Sequence, residues 1–171
     1  AYKFDAPRCQ TQIESITIQV GRGGRITPVA NLKSVELGGS TISRATLHNQ
    51  DYIQSLGVDE GDIVIISKRG DVIPAVEEVV EKKQPGSFFK LPADCPSCFS
   101  KLQNEGAHLF CLNPECPQQK LQAIIYFASK DQMDIETLGE KTIEFLFNQG
   151  LIKEIPDLYT FDYNRLSEYE G

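Results

Sequence analysis

Four cysteines, Cys95, Cys98, Cys111 and Cys116, follow one another as C-x2-C-x12-C-x4-C. No other feature restricts the fold of this chain so strongly. Two thiolates two residues apart on a tight turn reach one ion, and a second pair folding back completes a tetrahedral shell. Cys95-Pro96-Ser97-Cys98 supplies the first turn. Cys111-Leu112-Asn113-Pro114-Glu115-Cys116-Pro117 supplies a wider second one, rich in proline and asparagine, which favour turns over ladder pairing. The spacing predicts a small zinc ribbon over residues 93–117, with Zn2+ on all four cysteines and no open position, hence a structural ion. A disulfide framework is the competing reading. The fifth cysteine, the acidic composition and the lack of an apolar leader argue against an oxidising compartment. Cys9 reads as a plain thiol, and His108, inside the ribbon, as a bystander to a shell already full.

A net charge of −7 over 171 residues looks wrong for a partner of nucleic acid until it is divided. Residues 1–76 carry eight basic and eight acidic side chains, and residues 77–130 carry six of each. The excess lies in residues 131–171, with ten acidic against three basic, so local patches and not the total decide what the chain can bind. The acidic segment reads as a solvated face turned away from any polyanion. No stretch has the apolar length of a membrane span, so no membrane partner is expected, and the chain is read as a monomer.

Residues 13–81 alternate with the period of half-buried strands. Ile13–Val20, Ile26–Leu37 and Thr41–Leu47 come first, with Gly38-Gly39 as a hairpin turn. His48–Leu56 then reads as a short helix, with Asn49 a plausible N-cap and Gly57 its stop. Ile63–Ser67 and Val72–Val80 follow. Three strands, a helix and two strands is the order of a five-stranded OB-fold barrel, whose face and loops commonly bind nucleic acid; another small barrel of the SH3 type fits the same pattern. Residues 9–81 are assigned to this domain.

Residues 82–92, rich in turn formers, read as a linker and a candidate hinge, as do residues 118–120. From Gln118 the period turns helical, with Leu121, Ile124, Ile125 and Ala128 on one face. A turn with Leu138-Gly139-Glu140-Lys141 precedes a second helical run, Thr142–Asn148. Together they outline a helix-hairpin-helix within residues 118–171, in which Gly139 would let the backbone approach a phosphate. A Leu-Gly pair between helices is more often just an ordinary turn.

The run Val20-Gly21-Arg22-Gly23-Gly24-Arg25-Ile26-Thr27-Pro28-Val29-Ala30, then Ala45-Thr46-Leu47-His48-Asn49, then Gly70-Asp71-Val72-Ile73-Pro74 resembles the OB domain of bacterial NAD-dependent DNA ligases. The four-cysteine ribbon and Met133-Asp134-Ile135 with Leu138-Gly139-Glu140-Lys141 follow in that family's order. By the same resemblance residues 1–8 are the tail of an adenylation domain, with Lys3 in contact with the nucleotide. Residues 166–171 look like the entry to a second helix-hairpin-helix, so the chain is expected to be a piece of a larger enzyme.

The resemblance implies a bacterial, nucleoid-associated cytoplasmic enzyme that uses NAD and Mg2+ to seal nicks in duplex DNA during replication and repair. It also implies that this portion holds the DNA. The lysine that becomes adenylylated lies in a Lys-x-Asp-Gly motif, which does not occur here, so catalysis would belong to the missing adenylation domain of the same polypeptide. Arg22 and Arg25, in a loop with three glycines, are the expected phosphate contacts, with Gly23 allowing close approach. Lys68 and Arg69 are further contacts, with either one free to meet the phosphate. Val72 and Ile73 are minor-groove wedges by resemblance and ordinary strand residues by pattern. His48 and Asn49 read as a surface imidazole and a helix cap. Two other readings remain at this point: a non-enzymatic accessory module built from an OB domain and a zinc ribbon, and a spacer that holds flanking domains apart.

Overall fold

The computed structural model describes residues 7–68, 73–162 and 164–165. Strands β1 (Arg8–Val20), β2 (Ile26–Leu37), β3 (Ser40–Thr46), β4 (Ile63–Ser67) and β5 (Ala75–Glu81) close into a barrel in the order β1-β2-β3-β5-β4. Helix α1 (Gln50–Leu56) lies between β3 and β4 in sequence. This is the OB-fold arrangement.

Closure depends on β1 serving two partners. Arg8–Gln12 pair with β4, Ile13–Val20 pair with β2, and the register shifts between Ile13 and Ser15. The turn before β4 fastens that bend: Ile13 N donates to Asp62 O (2.9 Å) and Gly61 N to Ile13 O (2.8 Å), while Ile16 N donates to Glu60 Oε1 (2.7 Å). The last gap is closed by a parallel contact of Thr46 with Ala75. Inside lie Ile13, Ala30, Leu32, Ala45, Leu47, Ile53, Val64, Ile66 and Val76, all buried, each large one worth about 1.5–3 kcal/mol of burial.

The expected elements are present with shifted ends. Strand β1 begins at Arg8, not Ile13, because Arg8–Gln12 is polar and its pairing with β4 leaves no hydrophobic period to read. The helix starts at Gln50: His48 stands outside it with φ 58°, and Asn49 caps it through Oδ1, which accepts from Tyr52 N (2.9 Å). Gly57 ends it at φ 62°. Strand β5 starts at Ala75, and residues 69–72 lie outside the described ones.

Residues 82–92 form a strap fastened to the barrel, not a loose joint. Gln50 bonds it twice, with Nε2 donating to Phe89 O (3.1 Å) and Oε1 accepting from Leu91 N (2.7 Å). Phe89 N donates to Val58 O (2.9 Å), and both Phe88 and Phe89 pack on the barrel core. A cysteine module follows, with a short hairpin of β6 (Gln103–Glu105) and β7 (His108–Phe110). Its core is shared with the barrel end: Val20 and Ile26 cluster with Cys95, Cys111 and Cys116.

Helix α2 (Pro117–Ala128) starts on the last cysteine, which occupies its N-cap, with proline at the first helical position. It packs with α3 (Glu140–Asn148) and α4 (Asp157–Thr160) around Leu121, Ile124, Ala128, Ile143, Leu146, Ile152 and Leu158. Residues 118–120 are fastened too: Gln118 N donates to Ser97 Oγ (3.3 Å), and Gln119 Nε2 donates to Cys111 O (2.9 Å) and Asn113 O (3.1 Å). Among the described residues no helix is long and apolar enough to cross a membrane.

Candidate metal centre and nucleic-acid interface

The four thiols predicted to meet do so. All four sulfur atoms lie within 4.8 Å of one another; Cys95 Sγ is 3.9 Å from Cys116 Sγ and Cys98 Sγ is 3.5 Å from Cys111 Sγ. A disulfide requires about 2.0 Å, so these are free thiols, as is Cys9. A tetrahedral ion with sulfur at about 2.3 Å sets its ligands roughly 3.8 Å apart, close to the separations of these two pairs. The cluster is a metal-binding site. Its chemistry fits a closed S4 shell: Cys95, Cys111 and Cys116 are buried and Cys98 half-buried.

Protonation follows the surroundings. The Ser100 hydroxyl, 3.4 Å from Cys98 Sγ, favours the thiolate and brings Cys98 down to about 6. Burial pushes Cys111 up to about 12 and raises Cys95 as well. Buried thiols of this kind resist ionisation until a cation neutralises them. Cys9 is raised by burial alone and packs on the barrel core.

The glycine loop between β1 and β2 is seated on this metal module. Gly24 N donates to Gly21 O (2.9 Å), Gly21 N donates to Arg25 O (2.9 Å), and Gly24 O accepts from Cys111 N (2.8 Å). Gly24 is buried at φ 77°, and an added Cβ would lie 2.0 Å from Cys111 O. Only glycine fits there.

The structure separates the two loop arginines. Arg22 is exposed, and its Cζ lies 3.7 Å above the Tyr126 ring centroid on α2. Arg25, also exposed, turns to His108, with Nη2 2.9 Å from Nε2 and 3.2 Å from Nδ1. His108 stays outside the four-cysteine cluster, as expected, and is a partner of Arg25. Gly23 is exposed, with nothing within 4 Å of an added Cβ, so its outer side is open to a partner.

On the neighbouring barrel face Ile73 is 72% exposed. It borders an open cavity of about 210 Å³ with Gln19, Thr27, Val29, Arg44, Ala45 and Thr46. Lys68 is half-buried, and its Nζ donates to Ser40 Oγ (3.4 Å). Lys3, Arg69 and Val72 fall outside the described residues. Gly139 is the N-cap of α3 at an ordinary φ of −76°; the left-handed residues of that turn are Asp134 (φ 45°) and Thr137 (φ 68°). His48, edge-on to Tyr52 at 4.8 Å, stays at the surface as expected.

Residues 10–88 match the NAD-dependent DNA ligase OB-fold domain. The full 171 residues are 54% identical to a DNA ligase of Borrelia duttonii (strain Ly), covering 25% of it. Residues 10–88 are an NAD-dependent DNA ligase OB-fold domain. Over 164 residues, 95% of the chain, it is 48% identical to a DNA ligase of Leptospira biflexa serovar Patoc (strain Patoc 1 / Ames), covering 24% of that protein. A DNA ligase of Natranaerobius thermophilus (strain ATCC BAA-1301 / DSM 18059 / JW/NM-WN-LF) is 47% identical over 175 aligned residues, covering all of the chain and 26% of the relative. The chain spans about a quarter of the length of these relatives.

Sequence reasoning missed several residues of these surfaces. Arg44 announces itself only by pointing outward beside buried Ala45. Tyr126 and His108 carry no local signal, because what matters is the loop they meet far back in the chain.

Proposed function

We propose that this segment holds nicked duplex DNA for a bacterial NAD-dependent ligase that joins a 3′-hydroxyl to a 5′-phosphate. The observation that carries the reading is the exposed Arg22 guanidinium, which makes no hydrogen bond or ion pair among the described residues. It stands on a glycine loop beside an open barrel face. A guanidinium fork left free in this way matches a phosphate oxygen pair. Arg44, Arg25, Lys68 and Arg69 extend the positive surface, Gly23 lets a strand come close, and Val72 and Ile73 supply apolar contacts to sugars in the minor groove. Gly139, with open space around it, gives the α3 amides access to a second stretch of backbone.

Zinc is the ion proposed for Cys95, Cys98, Cys111 and Cys116, in a structural role. NAD supplies the AMP that activates the 5′-phosphate, with Mg2+ as its metal partner. Lys3 contacts that nucleotide, while the lysine that carries AMP belongs to the adenylation domain of the same polypeptide. Each step moves a phosphoryl group, so positioning and charge stabilisation carry the catalysis, and positioning is this segment's share. Alone it forms no ligase adenylate. It works as a monomer in the cytoplasm, on the chromosome. The proposed domain limits are 1–8, 9–81, 82–92, 93–117 and 118–171.

Binding of the zinc-loaded chain to nicked duplex, followed by fluorescence anisotropy across a salt series, tests this reading. Several phosphate contacts give a steep fall of log Kd-derived affinity with log salt, about 0.9 per contact. A flat salt response would assign the chain to a spacer role.

A further inference from the structure

We propose that Tyr126 is a positioning residue for the Arg22 phosphate contact. Its ring holds one face of the guanidinium, so that the donor edge stays free and aimed at a DNA phosphate. This rests on the DNA-holding reading of Arg22.

An arginine on a glycine loop samples many rotamers, and binding has to remove that freedom. Stacking on an aromatic face removes much of it beforehand. It also leaves the N–H fork in the guanidinium plane unused. Arg22 shows both features, with Cζ 3.7 Å above the Tyr126 centroid and no other partner among the described residues. Arg25 shows the opposite arrangement, its Nη2 spent on His108.

The stacking platform is itself held. Tyr126 Oη accepts from Gln132 Nε2 (3.0 Å). On the other side of the same helix Leu121, Ile124 and Ala128 are buried. Gln119, one turn after the Cys116 cap, donates to Cys111 O (2.9 Å), and Cys111 N donates to Gly24 O (2.8 Å) in the arginine loop. Helix, metal module and loop thus form one circuit that fixes ring and guanidinium relative to each other. Tyr126 is 38% exposed, more than a ring that serves only to fill a core.

The test is a double-mutant cycle on the zinc-loaded chain with nicked duplex DNA, read as Kd at several salt concentrations. Tyr126→Leu is expected to weaken binding about twofold to fivefold with an unchanged salt slope, since the charge still reaches a phosphate. Arg22→Ala lowers the slope by about 0.9, and Tyr126→Leu adds nothing in that background. Tyr126→Phe and Tyr126→Trp, which keep a ring and lose only the bond to Gln132, bind more tightly than Tyr126→Leu, while Tyr126→Gln behaves as Tyr126→Leu, so the variants sort by the presence of a ring and not by size. Zinc content and thermal melts check that each variant is folded. Equal weakening by Tyr126→Leu with and without Arg22, or no weakening where Arg22→Ala does weaken, overturns the positioning role and leaves the DNA-holding reading intact. Wild-type binding that is absent, or indifferent to Arg22→Ala, overturns that reading and this inference with it.

Discussion

At residue 24 a side chain has nowhere to go. Gly24→Ala places a Cβ 2.0 Å from Cys111 O at φ 77°, so loop and metal module must separate, at a cost of about 2 kcal/mol or more. Gly23→Ala meets nothing and is expected to stay within about 0.5 kcal/mol of the parent. Urea titrations of both variants check the contrast, and equal stability would refute the seating of the loop on the module. The cysteines add a pH dependence whose sign is set by their surroundings. Metal must displace protons from Cys111, pushed up to about 12, and from Cys95, also raised, whereas Cys98 at about 6 is already a thiolate at neutral pH. Zinc affinity therefore rises with pH, about tenfold per unit for each proton displaced. Chelator competition between pH 6 and 8 reads that slope, and a flat profile would contradict it. These thiols were legible from spacing because the ligand geometry is local. The need for glycine at 24 was not, because Cys111 O reaches it only through the fold.

Elements were legible where burial alternates and hidden where it does not. The glycine hairpin between β2 and β3, with φ 58° and 77°, and the Asn49–Gly57 limits of α1 follow from local chemistry. The first half of β1 and the short α4 have no such pattern, and their places come from partners elsewhere. Residues 82–92 show the same limit: turn-forming composition suggested a joint, but a buried carboxylate fastens the segment. Asp62, fully buried, accepts from Asp59 N (2.8 Å), Lys82 Nζ (2.8 Å) and Lys83 N (2.9 Å). Lys82 Nζ also donates to Gly57 O and to Ser87 O (2.8 Å). Asp62→Ala is expected to lower stability by roughly 3 kcal/mol, because it leaves donors and a half-buried cation unanswered. Amide exchange should then accelerate over residues 82–91 ahead of the barrel strands. Uniform exchange, with the strap no faster than the core, would refute its dependence on Asp62.

Across the whole molecule the barrel, cysteine module and helices are joined in series. Val20 and Ile26 share a core with the thiols, and α2 grows from the last of them. Lys120 on α2 ties Glu115 (2.6 Å) to Glu154 (3.4 Å). The acidic excess lies in residues 131–171, while residues 1–76 carry equal numbers of basic and acidic side chains, so a net charge of −7 does not prevent a local grip on a polyanion. The most direct test mixes this chain with a separately prepared adenylation domain of an NAD-dependent ligase, NAD, Mg2+ and nicked duplex, and measures the joined strand. Sealing that requires both pieces, and falls at least tenfold with Arg22→Ala, is the predicted result. No sealing by a zinc-loaded, folded chain, or sealing indifferent to Arg22, would contradict the account.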